Sequence, residues 1–191
     1  MPTDLVSAPV LTWKLPLDAR SVLGALTGAA AAASVPVHLS QMALRRFPVL
    51  VGSVAPLLVV ENPRLVEAAA ERDLPWSVIA TNGNPSGAVN LLVDALIAAG
   101  VECRYHGDFD SAGIGICRRM AERGCVPWNM DAQQYERAVS AARSEGVELP
   151  VDGRGCGPTP WAPSLEAAFE RGRSVVHEER LLDQLLDPAT W

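Results

Sequence analysis

From Leu57 onward, short apolar runs alternate with longer segments of helical period. Leu57-Leu58-Val59-Val60 is continuously apolar and stops at Glu61. Such a run suits a strand buried on both faces of a parallel sheet. Asn62-Pro63 follows, an N-cap residue and a proline suited to the first helical position. The spacing predicts a helix over 64–72, with Leu65, Ala68 and Ala69 inward. The unit then recurs. Ser77–Ala80 reads as a second strand, and residues 81–85 as a tight loop with Asn82-Gly83 and Asn84-Pro85. Residues 86–99 read as a helix with Val89, Leu92, Val93, Leu96 and Ile97 on one side, ended by Gly100. A third strand is expected over 101–106, then the loop Gly107-Asp108-Phe109-Asp110, then a helix over Ser111–Arg123 closed by Gly124. Residues 126–130 are a candidate fourth strand, and Asp131 caps a helix running to Arg143.

Repeated strand–helix units predict an α/β, doubly wound core with right-handed crossovers. The flanks are less regular. Residues 18–33 are rich in Ala and Leu and predict a helix. Residues 35–39 lead to Ser40, an N-cap for a helix to Arg46 that Pro48 stops. The Gly/Pro-rich passage 151–163 reads as an ordered loop anchored by Trp161, with short helices over 164–171 and 178–186. The expected organisation is a helical or irregular N-terminal appendage (1–53), an α/β core (54–145), and a C-terminal loop with helices packed on the core (146–191).

Charge and composition narrow the classes. The 191 residues include 16 Lys+Arg and 22 Asp+Glu, a net charge of −6. A free-standing nonspecific nucleic-acid binder is more often basic. A DNA enzyme whose partners supply the positive surface stays open. The longest weakly polar stretch, 22–37, is broken by Gly24, Thr27, Gly28, Ser34 and Pro36, whereas a bilayer span needs about 20 mostly apolar residues. No basic signal-peptide start is present. Cys103, Cys117, Cys125 and Cys156 form no CxxC pair and read as reduced thiols of a cytoplasmic protein.

Ligands of open parallel sheets bind beyond the carboxyl ends of the strands. Glu61 ends the first predicted strand; Asp108 and Asp110 follow the third. Residues two apart in extended chain project to one side, so the two aspartates can face one point, with Glu61 joining them if strands one and three are neighbours. At about 4 Å and an effective dielectric of about 20, each carboxylate pair costs on the order of 4 kcal/mol. A divalent cation relieves that repulsion, and all-oxygen ligands suit Mg²⁺. The implied chemistry is metal-assisted phosphoryl transfer or phosphodiester hydrolysis. A blander reading stands beside it: Asp110 before the Ser111 helix is also a plain N-cap.

Val59-Val60-Glu61-Asn62-Pro63, Thr81-Asn82-Gly83-Asn84-Pro85-Ser86 and Tyr105-His106-Gly107-Asp108-Phe109-Asp110-Ser111-Ala112-Gly113 together resemble a Toprim domain, closest to that of the topoisomerase VI A subunit and the meiotic double-strand-break protein. The whole chain, including Pro127-Trp128-Asn129-Met130 and His177-Glu178-Glu179, resembles the C-terminal half of the Toprim nuclease subunit of Wadjet-type anti-plasmid defence systems, which works beside SMC-like ATPase components. The resemblance implies a Toprim-like (Rossmann-like) central parallel sheet of about four strands flanked by helices. It implies a cytoplasmic, metal-dependent DNA endonuclease using Mg²⁺ or Mn²⁺, with DNA and SMC-like subunits as partners and a homodimer suited to cutting both strands. Glu61 takes the place of a metal ligand or general acid–base, and Asp108 and Asp110 that of the metal-binding pair. Gly83 and Ser86 match the loop near the substrate phosphate, and the start of the Ser86 helix makes physical sense as an anion site.

Other residues keep two readings. Gly83 is also a plain turn glycine. His106 either positions a phosphate or is a satisfied structural histidine. His177-Glu178-Glu179 either contributes a further acid, Glu178, or is an exposed helix start, the favoured reading. Arg104, Arg118 and Arg119 contact DNA phosphates or are simply solvated. Tyr105, within a predicted strand, reads as core or wall, so water is the expected nucleophile. The family's long N-terminal region has no counterpart here, so the chain reads as a truncated frame, a split subunit or a degenerate remnant.

Rival functions are weaker. The haloacid-dehalogenase phosphatases also carry DxD after a strand, but they need a later lysine, and Lys14 is the only lysine. A zinc site from Cys103, His106, Cys117 and Cys125 has a suggestive CxxH spacing in its first two residues, but the other two lack paired spacing. The remaining alternative is a catalytically silent Toprim-like docking or DNA-binding subunit.

Overall fold

The computed structural model describes residues 8–190. Its sheet is six-stranded and mostly parallel, flanked by helices, in the order β2-β1-β4-β3-β5-β6. The chain divides into two units, the first ending at Arg104 and the second beginning at Tyr105.

In the first unit, β3 (Leu57–Val60) and β4 (Ser77–Ala80) pair in parallel, with Leu57 opposite Ser77 and Val60 opposite Ala80. Every side chain of β3 is fully buried, as its unbroken apolar run requires. Burying a Leu or Val side chain contributes roughly 1.5–3 kcal/mol, which makes this strand pair the anchor of the unit. Helix α3 (Pro63–Glu71) starts where the Asn62 side chain accepts the Arg64 N–H at 2.9 Å, and it buries Leu65, Val66, Ala68, Ala69 and Ala70. Helix α4 (Gly87–Ala98) is capped by Ser86, which accepts the Val89 N–H.

The N-terminal segment departs from expectation. Besides the predicted helices α1 (Val22–Ala32) and α2 (Gln41–Arg46), it supplies strands β1 (Val10–Trp13) and β2 (Val37–Leu39). Strand β1 lies antiparallel to both β2 and β4. Trp13 is buried and donates its indole N–H to the Leu74 carbonyl at 3.0 Å. Helix α1 begins close against the preceding turn: a Cβ on Gly24 would lie 2.0 Å from the Asp18 carbonyl oxygen, so only glycine fits.

Strand β5 (Cys103–Tyr105) is shorter than the predicted third strand. The amide of Leu57 donates to the Glu102 carbonyl at 2.9 Å beside it. The second unit then contains α5 (Ser111–Arg123), β6 (Val126–Pro127), α6 (Ala132–Ser144), α7 (Pro163–Glu170), a 3-10 turn (Glu178–Leu181) and α8 (Leu182–Leu185). Gly124 ends α5 at φ 109°, a left-handed conformation that glycine adopts freely. The aromatic rings of Phe109 and Tyr135 lie 5.4 Å apart, and those of Tyr135 and Phe169 lie 5.7 Å apart. The Tyr135 hydroxyl donates to the Ser174 carbonyl.

The 151–163 passage is ordered, as its tryptophan suggested. Trp161 donates to the Met130 carbonyl at 2.6 Å. Arg118 is engaged within the unit rather than simply solvated. Its guanidinium donates to the carbonyls of Pro158 and Cys156, each at 2.7 Å, and ties the passage to α5. The four cysteines are buried free thiols. Burial pushes the Cys103 thiol up to about 12. Among the described residues no helix is long and apolar enough to cross a membrane.

Candidate functional site

In the second unit, the chain leaves β5 at Tyr105 and reaches α5 at Ser111 through His106 to Asp110. Phe109 points inward and is fully buried. Its N–H donates to the Val176 carbonyl at 2.9 Å, and its own carbonyl accepts the Val176 N–H at 3.2 Å. The two aspartates on either side of Phe109 are half-buried.

Asp108 has a donor on each oxygen. Oδ1 accepts the backbone N–H of Glu178 at 2.7 Å. Oδ2 lies 3.0 Å from Nδ1 of His177. The side chain of Asp108 is 19% exposed and that of His177 is 56% exposed. The hydrogen bond to Asp108 raises the His177 imidazole above its ordinary range; burial opposes this, and the charges of Asp108, Asp110 and Glu179 add to it.

Asp110 Oδ1 caps α5 by accepting the Gly113 N–H at 2.6 Å. Asp152, which sequence reasoning did not single out, accepts the Ser111 N–H at 2.7 Å. The Asp152 carboxyl is held below the usual carboxylate range by its hydrogen bonds from Ser111, then from the Arg154 amide. The helix start thus faces two carboxylates, which its dipole favours.

His106 and Glu178 both lie in the interior, which for Glu178 corrects the expected exposed helix start. His106 is fully buried. Its Nδ1 lies 3.2 Å from Glu178 Oε1, and the ring stands edge-on to Phe109 at 5.8 Å between centroids. Burial pushes the imidazole down to about 3, against the opposing pull of the Asp108 charge, so the ring is neutral at ordinary pH. Its Nε2 is buried without a hydrogen-bond partner. Glu178 heads the 3-10 turn as expected for a helix start, but it is fully buried rather than exposed. Sequence reasoning missed the pairing of the 106–109 loop with residues 176–178. The available signal was the β-branched pair Val175-Val176, a strand-like run just before His177.

The first unit holds the other expected residues. Glu61 follows β3 and is half-buried; its carbonyl accepts the Asn82 N–H at 3.0 Å. Asn82 and Gly83 both take positive φ, 56° and 78°, which makes the tight turn after β4. A side chain on Gly83 would meet open space, so only the backbone conformation requires glycine here. The Ser86 hydroxyl is engaged internally, capping α4 and donating to the Ala8 carbonyl at 3.1 Å. A cleft of about 230 Å³ lies beside this loop, with Pro63, Ala80, Thr81, Asn82, Asn84 and Ser86 on its walls. Arg104, the remaining arginine of this unit considered for DNA, donates to Glu102 at 2.6 Å.

Among the described residues no group of three or more His, Cys, Asp or Glu forms a ready metal cage. The donor chemistry of Asp108 and Asp110 nonetheless fits a hard cation. Both offer carboxylate oxygen, and Mg²⁺ usually takes only one or two carboxylates and keeps several waters.

No curated protein matches the chain. A family described as "Protein of unknown function C-terminus" (DUF2399) matches residues 37–188, a span that includes Glu61, the Asp108-Phe109-Asp110 loop and Glu178. The chain therefore belongs to the DUF2399 family.

Proposed function

We propose that the protein is a metal-dependent DNA endonuclease subunit of Toprim type, acting on plasmid or other foreign DNA as the Wadjet-type subunits that its sequence resembles do. The observation that carries the proposal is the loop after β5. Buried Phe109 holds Asp108 and Asp110 on either side of itself, and Asp108 is fixed at both oxygens. Paired, half-buried carboxylates at the end of a strand and the start of a helix are suited to a divalent cation and a phosphodiester.

Asp108 and Asp110 would hold Mg²⁺ or Mn²⁺. When bound, the cation supplies charge neutralisation at the phosphoryl oxygens and an acidified water. Hydrolysis joins the water oxygen to phosphorus and breaks the bond to one sugar oxygen, which leaves as a hydroxyl. One proton must leave the water and one must reach the sugar oxygen. Glu61 keeps the ligand or acid–base role that the resemblance gives it. Tyr105 is fully buried, which favours water over a tyrosine nucleophile. SMC-like ATPase subunits and a second copy of the chain are the proposed partners.

Plasmid cleavage with Mg²⁺ or Mn²⁺ tests this, alone and with SMC-like partners added. Nicking or linearisation that Asp108→Ala and Glu61→Ala both abolish is the expected result. Cleavage that survives both substitutions would sink the mechanism. Binding to partners with no cleavage under any condition would instead favour a silent docking subunit.

A further inference from the structure

We propose that the turn at His177-Glu178 is the positioning element of Asp108, with Glu178 acting through buried His106; the proposal rests on the metal reading above. Two chain segments are stitched together here. Phe109 and Val176 exchange backbone hydrogen bonds at 2.9 and 3.2 Å. Next to them, the Glu178 N–H reaches Asp108 Oδ1 at 2.7 Å and His177 Nδ1 reaches Oδ2 at 3.0 Å. The Glu178 carboxyl turns the other way, to His106 Nδ1 at 3.2 Å, two residues before Asp108.

This arrangement is costly unless it has a purpose. A fully buried carboxyl carries a large desolvation penalty, and a first-turn residue of an exposed turn has no need to be buried. The first N–H groups of a helical turn have no partner within the turn. Anchoring the Glu178 side chain on His106 therefore aims one such N–H at Asp108. With a donor on each oxygen, the direction of the remaining Asp108 lone pairs is restricted. Asp110 has a donor on Oδ1 from the Gly113 N–H, so it is oriented by its own helix. Asp108 takes a donor on each oxygen from a segment about 70 positions later. Glu178 is thus a positioning residue and not a further ligand, since its carboxyl faces His106 in the interior.

The test uses the full chain and Mn²⁺ alone as the probe. Mn²⁺ affinity is measured by titration with electron paramagnetic resonance detection for wild type, His177→Ala, Glu178→Ala and Glu178→Gln. Loss of a partner that orients a ligand typically costs about 10–100-fold in metal affinity. His177→Ala and Glu178→Ala are expected to weaken binding at least about tenfold. Glu178→Gln should recover most of it, because an amide can both donate to and accept from Nδ1. His177 is exposed, so its substitution leaves the fold intact even where Glu178→Ala does not. A metal-free measurement accompanies it: the Glu178 amide should exchange slowly with solvent in wild type and quickly in Asp108→Ala. If wild type binds no Mn²⁺, the metal reading fails while slow exchange lost in Asp108→Ala still supports the positioning contact. Unchanged affinity in His177→Ala and in folded Glu178→Ala, or a Glu178 amide that exchanges like an exposed one, would overturn the proposal.

Discussion

Asp108 accepts a 2.7 Å hydrogen bond from the backbone amide of Glu178, 70 positions further along the chain. The contact makes the C-terminal turn part of the candidate site. It also separates the two aspartates of the loop by how they are held. Asp110 is oriented by the helix that it caps, and Asp108 by a distant strand-like segment and turn.

Phe109 is the hinge pin of that arrangement. It is fully buried and packs against Tyr135. Phe109→Ala should destabilise the chain by about 3–5 kcal/mol, the usual cost of emptying an aromatic core position. Urea denaturation checks this. A loss well under 1 kcal/mol would mean that the loop is not built on this ring.

Asp152 links the Ser111 amide to the 151–163 passage and also accepts the Arg154 N–H. Asp152→Ala should cost about 1 kcal/mol near neutral pH. Its carboxyl is held low, so the folded chain binds fewer protons there than the unfolded chain does. The stabilisation is fully present above the unfolded carboxyl range, about pH 4, and is lost as the pH falls through the folded value. The gap between wild type and variant should therefore narrow on acidification. A gap that widened instead would contradict this account.

Arg118→Ala removes two donors from the carbonyls of Cys156 and Pro158. The 151–163 passage should then become the first site of proteolytic cleavage, with a stability loss of about 1–3 kcal/mol. An unchanged digestion pattern would show that the passage is held by its other contacts, such as those of Trp161 and Asp152.

Much of the fold was legible where local signals agreed. The apolar run Leu57–Val60, the Asn62 cap with Pro63, and the Ser111–Arg123 helix between an aspartate cap and Gly124 each combined periodicity with a stop signal. Strand β1 was not legible, because its four residues lack a recurring pattern and owe their conformation to pairing with β4 and β2. Strand β5 shrank for a related reason: only Cys103–Tyr105 form the strand, and His106 turns into the interior. The placement of Asp108 and Asp110 between a strand and a helix was legible. The burial of Glu178 was not, because an acidic residue at the head of a turn ordinarily faces water, and its partner His106 is 72 positions away.

The most direct test of the central claim is cleavage of supercoiled plasmid by Asp110→Asn beside wild type, with Mn²⁺ and with thermal melting of both proteins. Asparagine caps a helix about as well as aspartate, so the Asp110 contact to Gly113 and the melting temperature should be kept. The anionic oxygen proposed to hold the cation is removed. The account predicts an intact fold and abolished cleavage. Cleavage at the wild-type rate by the folded variant would contradict it and leave Asp110 as a helix cap alone.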